Sequence, residues 1–103
     1  MPFPFSDLSK AKLRPAVVLA KVIQGDWILC QITSNPYRDA QAIELTDASF
    51  IAGSLRTTSY ARPGKLFTAN HELIKAQVGV LRTEAFRQVI EAVIALLRAS
   101  IAT

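Results

Sequence analysis

Two residues of this sequence, Arg14 and Thr33, have side chains that could act together on a phosphodiester. An arginine binds phosphate oxygens through two parallel hydrogen bonds and stays charged at physiological pH. A threonine hydroxyl can orient the same phosphate. RNA carries its own nucleophile in the 2′-hydroxyl, so cleavage needs only an in-line 2′-oxygen and stabilised charge on phosphorus. Alternatively, Arg14 is a surface charge and Thr33 an ordinary strand residue.

A β-hairpin predicted over residues 13–34 would position these two side chains. Residues 16–23 and 26–33 are apolar and β-branched, as expected for two strands with both faces covered. Gln24 and Gly25 lie between them, and a glycine can take the positive φ that a tight turn requires. The sequence therefore predicts a two-residue turn.

The register of this hairpin decides how close the two residues come. With a two-residue turn, Ala16 lies opposite Thr33, and Arg14 lies two residues further along its strand. That separation is roughly 6–7 Å, which the long arginine side chain can span. We therefore expect Arg14 and Thr33 to meet at the open end of the hairpin.

The rest of the chain predicts short strands followed by one helix. Residues 6–13 form a polar loop, residues 46–55 have no regular structure, and apolar residues at helical spacing follow Thr83, a candidate N-cap. The prediction is a mainly β chain with a C-terminal helix, folded as a small SH3-like barrel in one domain, residues 1–103. The remaining predicted strands are Ala42–Leu45, Thr57–Ala61, Lys65–Ala69 and the end of Glu72–Leu81, with Pro63-Gly64 a turn or a bulge.

Composition excludes several kinds of chemistry and favours others. His71 is the only histidine and Cys30 the only cysteine, so we expect no metal site, no cofactor and no internal disulfide. A reduced, cytoplasmic setting fits, because neither a signal peptide nor a membrane-spanning run is visible. The net charge of +4 favours a polyanionic partner. Half of the residues are hydrophobic, which predicts that a second copy or another protein covers apolar surface.

Several blocks of the sequence resemble the MazF/PemK family of toxin endoribonucleases. They are PFPFSDLSKAKLRPAVVLA, ILCQITS, SYARPGKLFTA and VGVL before the terminal helix, spanning Phe3 to about Leu97. The resemblance implies an SH3-like barrel, a homodimer and metal-independent cleavage of single-stranded RNA. It also implies a cognate antitoxin as partner, with operator DNA reached only through the toxin-antitoxin complex, and no membrane association.

The resemblance also assigns residues. The functional arginine of the family falls on Arg14 of RPAVVL, and its functional threonine falls on Thr33 of ITS. We predict these two as catalytic residues. The predicted substrate-binding residues are Lys10, Lys12, Ser34, Ser59 and Arg62. Ser59 and Arg62 come from a segment that contacts substrate in some family members. Lys10 and Lys12 come from the sequence itself, because they alternate with Arg14 and would share one side of an extended loop; alternatively, that loop is only solvated.

One departure from the family pattern keeps a second function open. Family members usually begin with a strand of the pattern GDIVLV directly before PFPF, and Met1 stands where that strand would end. Either the true start of the protein lies upstream of Met1, or the chain has lost an edge strand of the barrel; as given, we expect the first family strand to be missing. The alternative function is a degenerate, non-catalytic module of the same fold that binds antitoxin or nucleic acid.

Overall fold

The computed structural model describes residues 2–7, 12–36, 38–74 and 76–102 of the chain. Over these residues the chain forms seven strands and one long helix, with three short 3-10 turns between strands. The strands are β1 (Pro2–Asp7), β2 (Lys12–Lys21), β3 (Asp26–Thr33), β4 (Ile43–Leu45), β5 (Phe50–Gly53), β6 (Ser59–Asn70) and β7 (Gly79–Leu81), and the helix is α1 (Thr83–Ala102).

Five strands form one antiparallel sheet in the order β1-β2-β3-β6-β4, and β5 pairs with β7 in a smaller sheet. The large sheet is strongly curled into a half-barrel, which confirms the predicted mainly β fold with a C-terminal helix. The proline-rich strand β1 lies at the sheet edge, where missing backbone donors are tolerated. That the first family strand is missing stays a prediction.

The hairpin of β2 and β3 forms as predicted, but its turn and register differ from the prediction. Lys21 lies opposite Trp27, and the connection contains a 3-10 turn, Ile23–Gly25, instead of a two-residue loop. Gln24 and Gly25 both have positive φ, 63° and 79°. The strand pairing then shifts by one residue at a bulge between Val18 and Ala20, so that Ala16 lies opposite Gln31 and not Thr33.

Other boundaries also differ from the prediction. The predicted loop over residues 6–13 is wrong at both ends, because β1 runs to Asp7 and β2 begins at Lys12. Residues 50–53 form β5, which sequence periodicity did not indicate. Of the two alternatives for Pro63-Gly64, the structure shows the bulge and not the turn. Strand β6 is continuous through these residues, and its pairing with β3 shifts between Cys30 and Ile32.

Two apolar clusters cover the two faces of the large sheet. The larger cluster packs α1 against one face, and its buried residues include Val17, Cys30, Ile32, Leu45, Ala61 and Val89. The smaller cluster lies on the opposite face around Ala16, Val18 and Leu29, with Trp27 and Phe67 packed against it. Burial of both faces explains why β2 and β3 are nearly continuous apolar runs.

Candidate active site

Arg14 and Thr33 lie at the same end and on the same face of the curled sheet. Ala16 is paired with Gln31, and the same register continued by two residues sets Arg14 level with Thr33. Side chains two residues apart on a strand share a face, so Arg14 and Thr33 share the face of the smaller cluster. We call this polar region, Arg14, Gln31, Thr33 and their neighbours on β6, the open end of the hairpin.

Arg14 is half-buried on β2, and its Nε atom is shielded from solvent. On the side of β2 away from β3, Arg14 lies opposite Phe5 of the edge strand β1. Pro15 follows directly and favours extended backbone at Arg14. The base of this side chain is therefore enclosed between strands, which restricts where the guanidinium can point.

Thr33 ends β3 and begins the loop to β4. Its hydroxyl donates to the backbone carbonyl of Asn35 at 3.0 Å and accepts from the backbone N–H of Asn35 at 3.1 Å. This reciprocal pair forms a tight turn in which the hydroxyl position is fixed. Ser34 lies inside the turn and is exposed.

The open end continues across the sheet onto β6 and β4. Thr33 is paired with Tyr60 of β6, and Tyr60 is paired in turn with Glu44 of β4. Directly opposite residues of an antiparallel pair project on the same side, so these three side chains form a row across three strands. An aromatic ring and a carboxylate thus extend the surface that begins with Arg14.

Arg62 lies two residues beyond Tyr60 and forms an ion pair with the loop after β3. Its Nε donates to Oδ2 of Asp39 at 3.0 Å, and the two side chains are only 19% and 16% exposed. Asp39 Oδ1 also accepts the backbone N–H of Gln41 at 2.9 Å. The hydrogen bond from Arg62, and next the one from Gln41, hold the pKa of Asp39 below its usual value.

The structure does not bring all of the predicted substrate-binding residues to this surface. Ser59 is 5% exposed and donates its hydroxyl to the carbonyl of Thr57 at 3.0 Å, on the face that packs against α1. Lys12 is the first residue of β2 and pairs with Asp7, and Lys10 lies outside the described residues. Ser34 and Arg62 lie close in the fold to Thr33 and Tyr60. Substrate contact by any of the five stays a prediction.

Neither Asp39 nor Tyr60 stands out in the sequence as a site residue. Asp39 lies outside every predicted strand, and its partner is 23 residues away, a separation at which sequence gives no pairing signal. Tyr60 was read as an ordinary strand residue. Its position opposite Thr33 follows from the sheet order β3-β6, which alternation along one strand cannot reveal.

Two other observations limit the chemistry of the described residues. Among them, no group of three or more histidine, cysteine, aspartate or glutamate side chains is placed to hold a metal ion. Burial raises the pKa of the Cys30 thiol to about 12, and the thiol donates to the carbonyl of Arg62 at 3.1 Å. Cys30 is therefore a neutral core residue and a poor nucleophile.

The fold and this site together describe a curled half-barrel that carries an arginine and a threonine at the open end of its central hairpin. Over residues 2–97 the sequence matches the family described as PemK-like, MazF-like toxin of type II toxin-antitoxin system. The chain therefore belongs to this toxin family. No curated protein matches the sequence.

Solved structures with the same fold include the Mycobacterium tuberculosis toxin MazF-mt6, with a TM-score of 0.74 and 20% identity over 95% of this chain and 97% of that one. An endoribonuclease in complex with its cognate antitoxin, from a mycobacterial species, has a TM-score of 0.72 and 11% identity over 93% and 87%. MazE-MazF from Deinococcus radiodurans has a TM-score of 0.70 and 14% identity over 93% and 90%. At these identities the likeness concerns the fold. Within the described residues, no helix is long and apolar enough to cross a membrane.

Proposed function

We propose that this chain is a toxin endoribonuclease that cleaves single-stranded RNA by attack of the 2′-hydroxyl, without a metal ion. The observation that carries the proposal is the register that sets Arg14 level with Thr33 on one sheet face. Membership of the toxin family supports it, as does the fold shared with a structure described as an endoribonuclease.

The proposed division of labour follows from the chemistry of the two side chains. Arg14 contacts the scissile phosphate through paired N–H groups and stabilises the charge that develops on its oxygens. Thr33, whose hydroxyl position is fixed by Asn35, orients the same phosphate so that the 2′-oxygen lies in line. A guanidinium is a poor general base because its pKa is far above neutrality, so the proton passes to another group or to water.

The test is to incubate the purified protein with a long single-stranded RNA and to map the ends of the fragments. Attack by the 2′-hydroxyl leaves 2′,3′-cyclic phosphate and 5′-hydroxyl ends, and we expect cleavage to persist in excess chelator. A requirement for magnesium, or 5′-phosphate ends, would refute this mechanism. Stable RNA or antitoxin binding with no cleavage would instead support the non-catalytic module.

Two partners belong to the same proposal. A cognate antitoxin fits membership of the toxin family and the antitoxin-bound relative, and operator DNA would be reached only through that complex. A homodimer would cover large side chains that the single chain leaves exposed, such as Ile51 at 63%, Leu97 at 59% and Ile101 at 84%. Light scattering at micromolar concentration should give twice the chain mass, and a monomer mass across that range would contradict the dimer.

A further inference from the structure

We infer that Asp39 is a positioning residue for RNA cleavage, acting through Arg62. The inference rests on the proposed function, because it concerns how the same site presents its cations to RNA. Asp39 itself would not touch the RNA. Its role would be to hold the Arg62 guanidinium and the loop after β3 in one arrangement beside Thr33.

The geometry at Asp39 uses both oxygens of one carboxylate. Oδ2 accepts from Nε of Arg62 at 3.0 Å, and Oδ1 accepts from the backbone N–H of Gln41 at 2.9 Å. The backbone of Asp39 is fixed as well, because its N–H donates to the carbonyl of Pro36 at 2.9 Å and its carbonyl accepts from Ala42 at 3.1 Å. The carboxylate therefore sits on a braced loop and fixes the arginine from a defined position.

The ion pair joins the two segments that border Thr33. The loop leaves Thr33 at the end of β3, and Arg62 lies two residues beyond Tyr60, which is paired with Thr33. Pairing with Asp39 therefore ties the loop that begins at Thr33 to the strand that lies beside Thr33. Movement of either segment would change where the Arg62 guanidinium lies relative to Thr33.

The charge of Asp39 makes a binding role for this residue unfavourable. A carboxylate beside an RNA backbone repels phosphate, so on electrostatic grounds its removal should strengthen RNA binding. An aspartate that supports cleavage from this position must do so by orienting a neighbour. The partial burial of both side chains fits this role, because an ion pair with little solvent access holds its geometry better than an exposed one.

The experiment is a double-mutant cycle on kcat/KM for cleavage of one defined RNA, using Asp39→Ala, Arg62→Ala and the double variant. If Asp39 acts through Arg62, we expect Asp39→Ala to lower kcat/KM by about 10- to 100-fold, since a displacement of about 1 Å can cost about 100-fold. In the Arg62→Ala background the same change should then have no further effect, because its target is gone.

Matched variants separate positioning from stability and from charge. Asp39→Asn keeps an oxygen that can accept the Gln41 N–H but loses the charge that holds Arg62, so it should reproduce most of the loss without a lower melting temperature. Glu91→Ala removes one exposed carboxylate from α1 and should leave kcat/KM unchanged. An equal loss in Glu91→Ala would assign the effect to net charge and overturn the inference.

The outcomes distinguish this inference from the proposed function. If the wild-type chain cleaves RNA and Arg14→Ala does not, the proposed function stands. Wild-type activity in Asp39→Ala, or losses that multiply in the double variant, would then overturn only the role of Asp39. If the wild-type chain does not cleave, or Arg14→Ala cleaves equally well, both proposals fail together.

Discussion

The two ends of the β2–β3 hairpin share one sheet face but are held together by different forces. At the closed end, Trp27 packs against the cluster around Leu29, and the ammonium of Lys21 lies 4.6 Å from the centre of the indole ring. The His71 ring adds a tilted contact, with ring centres 6.0 Å apart. At the open end, side-chain hydrogen bonds and the Arg62–Asp39 ion pair replace apolar packing.

Under the proposed function, this difference separates stability from activity along one surface. Apolar burial is worth about 1.5–3 kcal/mol for a large side chain, whereas a partly exposed hydrogen bond contributes about 1 kcal/mol. The closed end therefore supplies most of the folding energy of this face. The open end can carry charged and hydroxyl groups whose orientation matters more than their contribution to folding.

The largest expected effect comes from removing the arginine at the open end. Arg14→Ala should lower RNA cleavage by about 10³-fold, because a charge-stabilising donor is lost. The melting temperature should change little, since Arg14 is half-buried at the beginning of the apolar run. Arg14→Lys should also fail, because an ammonium cannot form the bidentate contact. Near-normal cleavage by Arg14→Ala would disprove the proposed site.

At the closed end, truncation of a buried side chain should lower stability without affecting cleavage. Leu29 is fully buried between Val18 and Phe67, and Leu29→Ala should lower the free energy of unfolding by about 2–5 kcal/mol. Cleavage per folded molecule should stay at the wild-type level well below the melting temperature. Urea unfolding followed by a cleavage assay checks both, and a specific loss of cleavage would show that the two ends are coupled.

Cys30 provides a pH test of the buried sheet between the two ends. Burial raises the pKa of this thiol to about 12, whereas the pKa of an exposed thiol is about 8.5. The folded state therefore keeps the thiol proton to higher pH than the unfolded state does. The contribution of the thiol to the free energy of unfolding is full below about pH 8.5 and is lost as the pH rises toward 12. The slope is about 1.4 kcal/mol per pH unit. Cys30→Ala should unfold with a shallower alkaline dependence, and an unchanged dependence would contradict burial of the thiol.

The smallest expected effect is at the cation above Trp27. Lys21→Met keeps a stem of similar length over the ring but removes the charge, so unfolding free energy should fall by about 0.5 kcal/mol. Cleavage should not change, because Lys21 lies at the opposite end of the hairpin from Arg14. Comparison with Lys65→Met, an exposed lysine on β6, separates the ring contact from the loss of one charge.

Sequence reasoning was sufficient for elements whose signal is local. The apolar runs and the helical spacing after Thr83 predict the hairpin, the limits of β3 and the start of α1 correctly, whereas β2 spans Lys12–Lys21 and not residues 16–23. The prediction that Arg14 and Thr33 share the open end agrees with their common face. Their catalytic roles stay predictions, because they depend on chemistry and not on position.

The parts that sequence reasoning missed depend on contacts between distant segments. The register was wrong because the turn contains three residues, two of them with positive φ, and because strand β2 carries a bulge. Neither the third turn residue nor the bulge has a clear local signal. Strand β5 was missed because it exists only through pairing with β7, about 30 residues later. The Asp39–Arg62 pair requires both the loop and the bend of β6 to be in place.

The bulge in β2 also gives the hairpin a tolerance for changes in chain length. Leu19 is the extra residue there, because Val18 and Ala20 face consecutive residues of β3. A deletion of Leu19 alone would straighten the strand and still leave Arg14 level with Thr33, at the expense of the contact of Leu19 with the larger cluster. A deletion between Ala16 and Val18 would instead turn Arg14 to the opposite sheet face. Homologous hairpins that differ in length by one residue can therefore keep the same pair of residues together, provided the difference falls at the bulge.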